Sequence, residues 1–516
     1  MSEIDLSKYQ KWILTGLFLV FLVLGALSHN DYGIAWDEPS QQEIGKMNYD
    51  FLIGKSDSLA NYHDRFYGAA FEMPVYMLQQ AFGIENSAAI YDFRHLITNL
   101  IFIIGVGFFF ALIYKLFQDF NSALLGSIML YIHPRIFAHA FFNSKDIVFM
   151  SFFIIGLFTL FLLLEKQNTK RILLHALVSA ILIDIRIIGI ILPLISLLAV
   201  IPSLFKFNSD SRQTIKTIST YSILLIVFLY LFWPALWTDP LLLGKAFARM
   251  SHFPFRYEVL FQGQLIAATD IPWTYLPIWI GISTPPFILL LFIIGFGWML
   301  RNYIRNPEAA FNSKKQWYIL VLASFPFDFI LLLIIISSTL YDGWRQVFFL
   351  YPLLLISAVY AYNIIMKKLN YRKIGKAFVN GFIIVFILLT ILKIYKLHPY
   401  EQVYFNHFVS KKNENRRQSF EMDYWGLSYR EALEYIIKND NSPQIKVCFA
   451  NAAGPQNILY LSVNNRQRII AVDKIKDANY FISNYRYHPD DYPYQNEIYS
   501  ISRDKNKLLS IFKIKE

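Results

Sequence analysis

Apolar runs long enough to cross a hydrocarbon core of about 30 Å recur along the chain. They cover Ile13 to Leu27, Leu96 to Tyr114, Ala123 to Phe141, Ile147 to Leu164, Ile172 to Phe205, Tyr221 to Trp237, Pro285 to Leu300, Trp317 to Ser337, Val347 to Met366 and Phe378 to Tyr395. The stretch 172–205 is long enough for two, so the pattern predicts about eleven spans. The first run is long for a cleaved signal peptide and reads as an uncleaved anchor. The expected fold class is mainly α, a polytopic membrane protein.

Charge then orients the spans. If they alternate, Lys8, Lys11, Lys115, Lys166, Lys170, Arg171, Lys206, Arg212, Lys216, Arg301, Arg305, Lys314, Lys315 and the cluster from Lys367 to Lys376 all fall on one side. The positive-inside rule makes that side cytoplasmic, with the N-terminus. The outer segments are then 28–93, 133–146, 235–284, 338–346 and the tail after Leu397. Within the tail, short β-type runs at Ile445 to Phe449, Arg468 to Val472, Asn479 to Ser483 and Glu497 to Ser502 predict a small α/β domain. The expected division is a membrane part over 1–397, with a first outer loop at 28–93, and an extracytoplasmic domain over 398–516.

Composition agrees: 55% of residues are apolar and 16% charged, which excludes one soluble domain of 516 residues. The net charge of +11 lies in short loops and forms no basic stripe, so no nucleic-acid partner is expected. With Cys448 the only cysteine, neither an intrachain disulfide nor a cysteine metal site can form.

Candidate chemistry gathers in the outer segments. Asp37 and Glu38, between Trp36 and Pro39, form an acidic pair just past the first span, where partial desolvation makes a carboxylate a better proton acceptor. The alternative is that Asp37 caps a helix starting at Pro39. The same loop adds Asp64, Arg65, Glu72 and Pro74. His133, Arg135, Asn143, Lys145 and Asp146 crowd the second loop, and snorkelling or capping explains its cations better than its His, Asn and Asp. Asp184 and Arg186 stand inside an apolar run, where mutual pairing is expected. The third loop carries His252 to Arg256 and the aromatics Trp273 and Tyr275, which suit sugar or lipid binding or an interfacial anchor. Arg345, in Tyr341 to Gln346, offers planar donors that fit a phosphate, or it snorkels.

An Asp-Glu pair in a long first outer loop, a Glu-x-Pro segment later in it, an acid in the second loop and an Arg in a late short loop make the chain resemble the GT-C glycosyltransferases. Within them it resembles in particular the family that includes protein O-mannosyltransferases and lipid A aminoarabinose transferases. Gly343-Trp344-Arg345, His398-Pro399-Tyr400 and Asp423-Tyr424-Trp425-Gly426 also look like segments of bacterial relatives. The resemblance implies an enzyme of a bacterial inner (plasma) membrane that moves a sugar from a polyprenyl-phosphate donor to a lipid, glycan or protein acceptor on the outer face. It implies Asp37 as general base, Glu38 as its acidic partner and Asp146 as the acid that orients substrate or a bound cation. Arg65, Glu72, His133, Arg135, Lys145, Trp273, Tyr275 and Arg345 become candidate substrate-binding residues. Relatives often carry Lys-Pro where this chain has Met73-Pro74, so phosphate contact passes to Arg65, Arg135, Lys145 or Arg345. A divalent metal on Asp37, Glu72 and Asp146 is the candidate cofactor, since hard cations prefer oxygen ligands. A transporter or lipid flippase is the alternative reading. It calls for internal repeats and broken helices near the midplane, whereas the sequence shows no repeat and keeps its acids in loops.

Overall fold

The computed structural model describes residues 5–205, 211–251, 255–409 and 415–515. Lys206 and His252 to Pro254 lie outside the described residues. The helices run α1 (Lys8–Ser28), α2 (Glu38–Leu52), α3 (Glu72–Ala81), α4 (Ser87–Phe117), α5 (Phe120–Tyr131), α6 (Pro134–Phe142), α7 (Asp146–Glu165), α8 (Thr169–Ile185), α9 (Ile191–Val200), α10 (Ser211–Phe232), α11 (Ala235–Thr238), α12 (Leu242–Ser251), α13 (Tyr275–Ser283), α14 (Pro286–Arg305), α15 (Lys314–Ile335), α16 (Tyr351–Lys368) and α17 (Lys373–Leu397). Among the described residues nine helical stretches are long and apolar enough to cross a membrane, α9 being counted within Ile187–Leu204 and α16 within Arg345–Lys368. The chain is a mainly α, polytopic membrane protein.

Two of the expected eleven spans are shorter. α8 has 17 residues. The run 123–141 is not one helix: α5 stops after 12 residues, about 18 Å of rise. His133 (φ −66°, ψ 114°) leaves the helical region and Pro134 opens α6. Proline disfavours the helical conformation for the residue before it and has no N–H to continue the ladder, yet fits a first turn. All nine residues of α6 are buried, so α6 is a wedge inside the bundle that carries the chain on to Asn143–Asp146.

The run 172–205 divides as expected, and the break has a consequence. Arg186 is extended (φ −151°, ψ 131°) between α8 and the next helical turn. Asp184 and Arg186 do not pair. The Asp184 carboxylate accepts the Ala70 N–H at 2.7 Å and so holds the first outer loop, while Arg186 turns toward Asp146. One residue ends a helix and the other begins an extended step, so their side chains point apart.

Close helix packing relies on small residues. A Cβ on Gly295 of α14 would collide with the Ser357 carbonyl of α16, and one on Gly105 of α4 with Ser151 of α7.

A hairpin of β1 (Glu258–Phe261) and β2 (Gln264–Ala267) touches residue 420 through a bridge at Phe261. The C-terminal sheet has the order β4-β3-β5-β7-β6, with β3 (Ile445–Phe449), β4 (Ile469–Ala471), β5 (Tyr480–Ser483), β6 (Glu497–Arg503) and β7 (Asn506–Lys513). β3 pairs parallel with β4 and β5, and β7 antiparallel with β5 and β6. The sequence pattern did not separate β7, because its turn contains no glycine: Asp504 and Lys505 themselves take positive φ, 49° and 65°. Residues 398–409 and 415–428 tie this sheet to the helices. Tyr32 donates to Glu401 at 3.1 Å, Arg135 Nε to the Tyr404 carbonyl at 2.9 Å, and the Trp36 N–H to the Trp425 carbonyl at 3.0 Å.

A bulky side chain at the α14–α16 crossing tests the packing. Gly295→Leu is expected to lower stability by about 1–3 kcal/mol through overpacking, read as a lower apparent melting temperature in detergent. Gly297→Leu, where a Cβ meets nothing within 4 Å, should change it little.

Candidate functional site

The site starts from the turn before α2. Glu38 folds back to accept the Ala35 N–H at 2.8 Å and meets His95 at 3.0 Å, buried on both sides. Asp37 occupies the cap position of α2 but makes no side-chain cap bond. It faces a cavity instead, with its Oδ2 3.7 Å from Lys145 Nζ and 3.9 Å from Arg345 Nη2.

Asp146 opens α7 and is buried. It pairs with Arg186, accepts from Arg345 Nη1 at 3.0 Å and from Asn143 Nδ2 at 3.0 Å. Arg345 also contacts Asp342 at 2.9 Å and stacks on Tyr341 and Trp425, 5.1 and 4.6 Å from their centroids. The bend that aims it is left-handed at both Asp342 (φ 58°) and Gly343 (φ 71°). Tyr275 holds the bend by accepting the Gly343 N–H at 3.1 Å. From the C-terminal sheet, Arg486 reaches Asp342 at 2.9 Å and stacks on Trp36 at 4.7 Å.

Two cavities meet here. One, of 210 Å³, is polar and aromatic, walled by Trp36, Asp37, Asp64, Tyr257, Asp342, Trp425, Arg486 and Tyr487. The other, of 270 Å³, is an apolar groove along Ile187 to Leu194 and Phe329 to Ile336, with Phe247 and Met250 of α12. Tyr67, Lys145, Tyr341 and Arg345 line both. Among the described residues the groove's lining holds three cations, Lys145, Arg186 and Arg345, and no carboxylate.

Protonation follows from these neighbours. Burial works against the Lys145 ammonium, but Tyr67, 4.4 Å away at its ring centre, and Asp37 more than offset it and hold its pKa above the usual lysine range. Burial, then the Asp342 carboxylate, pushes the Glu421 carboxyl up to about 8, so at neutral pH it adds little negative charge beside Arg486. Burial chiefly raises Tyr341, Arg345 and Lys145 pull it back and Tyr67 and Asp37 add to the rise, leaving it at about 12.

The structure therefore brings together Asp37, Lys145, Asp146 and Arg345. The other candidates lie elsewhere. Glu72 is buried against Arg94 and accepts from Ser144 Oγ at 2.6 Å, which fixes the residue before Lys145. Arg65 sits 3.9 Å from Asp239. His133 is buried beside Trp344 and Tyr351, and Arg135 is clamped between Trp279 and Phe405. Trp273 is 68% exposed and borders a separate cavity of 60 Å³, together with Tyr275. Arg186, Asp342 and Arg486 complete the cluster and were not singled out for chemistry. Only Arg186 left a signal, as a charge inside an apolar run.

A divalent metal does not fit the proposed carboxylates. Asp37 faces Lys145 and Arg345, Asp146 faces Arg186 and Arg345, and Glu72 faces Arg94. Among the described residues no three His, Cys, Asp or Glu side chains gather to hold a metal.

No protein-family model and no curated protein sequence matches the chain. Among solved structures it is similar to an oligosaccharyltransferase of Archaeoglobus fulgidus tethered to an acceptor peptide, at 10% identity and a TM-score of 0.47, over 91% of this chain and 65% of that one. A second structure of that enzyme, in complex with Zn and sulfate, aligns at 10% identity and a TM-score of 0.43, over 90% of this chain and 68% of the other. The arabinofuranosyltransferase AftD from mycobacteria aligns at 9% identity and a TM-score of 0.46, over all of this chain and 42% of its own length. The chain thus spans less than two thirds of the first and last of these, and the overlap is loose.

The loop bearing Asp37 is anchored by His398, which joins Asp31 at 2.9 Å to Glu401 at 2.7 Å. Burial lowers this imidazole's pKa, but the two carboxylates win and raise it to about 9. A folded pKa above the ordinary 6.5 gives stability that is complete below about pH 6.5 and is lost as pH rises through 9. Melting temperature in detergent should therefore fall between pH 7 and 10 by more in the wild type than in His398→Gln, a difference of about 1 kcal/mol for this partly exposed group. Parallel curves for the two proteins would remove the anchor.

Proposed function

We propose that the chain is a membrane glycosyltransferase of GT-C type that uses a polyprenyl-phosphate sugar. The observation that carries this reading is an apolar groove whose described lining residues include three cations and no acid, and which shares its wall with a polar, aromatic cavity that contains Asp37. An isoprenoid tail fits the groove, and its phosphate fits the mouth at Lys145, Arg186 and Arg345. Guanidinium groups match phosphate oxygens in planar pairs, and an ammonium adds a compact charge. The sugar then enters the polar cavity, where Trp36, Tyr341 and Trp425 offer faces for a pyranose or furanose ring and Asp342 and Arg486 offer polar contacts.

In the reaction the acceptor hydroxyl oxygen bonds to the anomeric carbon while that carbon's bond to the phosphate oxygen breaks. The electron pair leaves with the phosphate, whose growing charge Lys145, Arg186 and Arg345 stabilise. Asp37 takes the hydroxyl proton. One displacement of this kind inverts the anomeric configuration. Asp146 orients two of the three cations and does not itself touch the reacting atoms. By the positive-inside rule the lysine- and arginine-rich helix ends are cytoplasmic, which puts the site and the C-terminal sheet on the outer face.

Asp37→Asn should lower turnover by about 10²–10⁴-fold while leaving donor binding intact, assayed as transfer from a radiolabelled polyprenyl-phosphate sugar. Full activity in that variant would sink the base assignment. Arg186→Met should instead raise the KM for the donor by about tenfold or more, in keeping with the loss of a charge-assisted phosphate contact. If the wild type moves the labelled lipid between leaflets and never releases its sugar, a flippase replaces the transferase.

A further inference from the structure

The 410 Å³ cavity at the other end of the bundle exceeds either chamber of the site. α16 connects the two ends: it starts six residues after Arg345 and lines this cavity from Tyr360 to Lys367, its tenth to seventeenth residues, so Lys367 lies about 24 Å along the axis from the helix start. The remaining walls come from the C-terminal ends of α4 and α14 and the N-terminal turn of α15, which brings Lys315.

Its chemistry is divided. Phe117, Met299, Ile319 and Ile364 make an apolar wall, while Lys315 and Lys367 with the amides Asn302 and Gln316 make a polar rim. No carboxylate is among the described lining residues. Two ammonium groups sharing one cavity repel each other, and an anion between them converts that repulsion into attraction. The surrounding helix ends add Arg301, Arg305, Lys314, Lys368, Arg372, Lys373 and Lys376, which outnumber the acids Asp119, Glu165 and Glu308 at the same end, of which Glu165 acts on Lys315, so the net charge there is positive.

We propose that this cavity binds an anionic membrane phospholipid, with the phosphodiester headgroup between Lys315 and Lys367 and an acyl chain along the Phe117–Ile364 wall. Basic pockets between membrane helices take anionic lipid headgroups through the same combination of charge and apolar surface. A soluble phosphate satisfies only the rim and leaves the apolar wall against water. The site lies toward the opposite end of α16 from the transfer chemistry and does not depend on it. Its occupant ties α4, α14, α15 and α16 together.

The full chain, purified in mixed micelles of phosphatidylglycerol and phosphatidylcholine, should retain phosphatidylglycerol preferentially, read by mass spectrometry of the bound lipid. Lys315→Gln/Lys367→Gln should reduce that retention about tenfold or more, each lysine near an anionic surface contributing about 1 kcal/mol. Lys373→Gln/Lys376→Gln, on the same end but outside the lining, should keep it. Both cavity lysines lie at helix ends and are at least partly exposed, so folding is expected to survive their replacement. Ile364→Trp leaves both lysines in place, fills the apolar wall, and should also expel the lipid. Equal retention of the two lipids, an equal loss in the control variant, or displacement by inorganic phosphate at the lipid's own affinity would overturn the proposal.

Discussion

A guanidinium buried at the end of an apolar helix has to be neutralised, and the arrangement around Arg345 follows from that constraint. Carrying such a charge out of water without partners costs several kcal/mol. Arg345 meets Asp146 on one side, Asp342 on another and Asp37 more distantly, and it lies against two aromatic faces. Each partner arrives on a different piece of chain: the turn before α2, the first turn of α7, and the left-handed bend at Asp342 and Gly343. The ion cluster is therefore also the point where the first outer loop, the second outer loop and the late short loop are registered against one another.

Helix interruptions supply the remaining pieces. Pro134 cuts an apolar run so that α6 can bury itself and deliver Asn143, Lys145 and Asp146 at one depth. The extended residue between α8 and the next turn is Arg186, which would point into lipid or a neighbouring helix if the run were continuous. Local loss of helical hydrogen bonds is tolerated at such depth only where the chain is buried in protein or lines a cavity: His133 is fully buried, and Arg186 lines the apolar groove. The buried pairs Glu38–His95 and Glu72–Arg94 then brace the loops from behind. They are acids of the first outer loop used for support, whereas Asp37 and Asp64 line the polar cavity and Asp37 is the one paired with Lys145.

The C-terminal sheet is part of this construction. Arg486 crosses to Asp342, Trp425 covers Arg345, and the Tyr404 carbonyl and the Asn406 side chain bond to α6 and α13. The polar cavity has one wall from the helices and one from the sheet side, so its shape depends on both.

Hydrophobic periodicity and charge alternation alone determine that this chain is a bundle of membrane helices with a small sheet after them, because span length and loop charge are local properties set by the thickness of the bilayer and the charge of its surface. The same local reading placed Asp37, Lys145, Asp146 and Arg345 among its candidates, since charges beside apolar runs are costly and stand out, while a helix cap or snorkelling explained Asp37 and Arg345 as well and only the family resemblance gave Asp37 its role as base. It could not separate them from Glu38, Glu72 and Arg135, which carry the same charges in the same loops. Nor could it find Asp342 and Arg486, or see that Arg186 serves Asp146 and Asp184 serves Ala70. Those assignments depend on which side chains, distant in sequence, are turned toward one another, and only tertiary packing decides where each charge finds its partner.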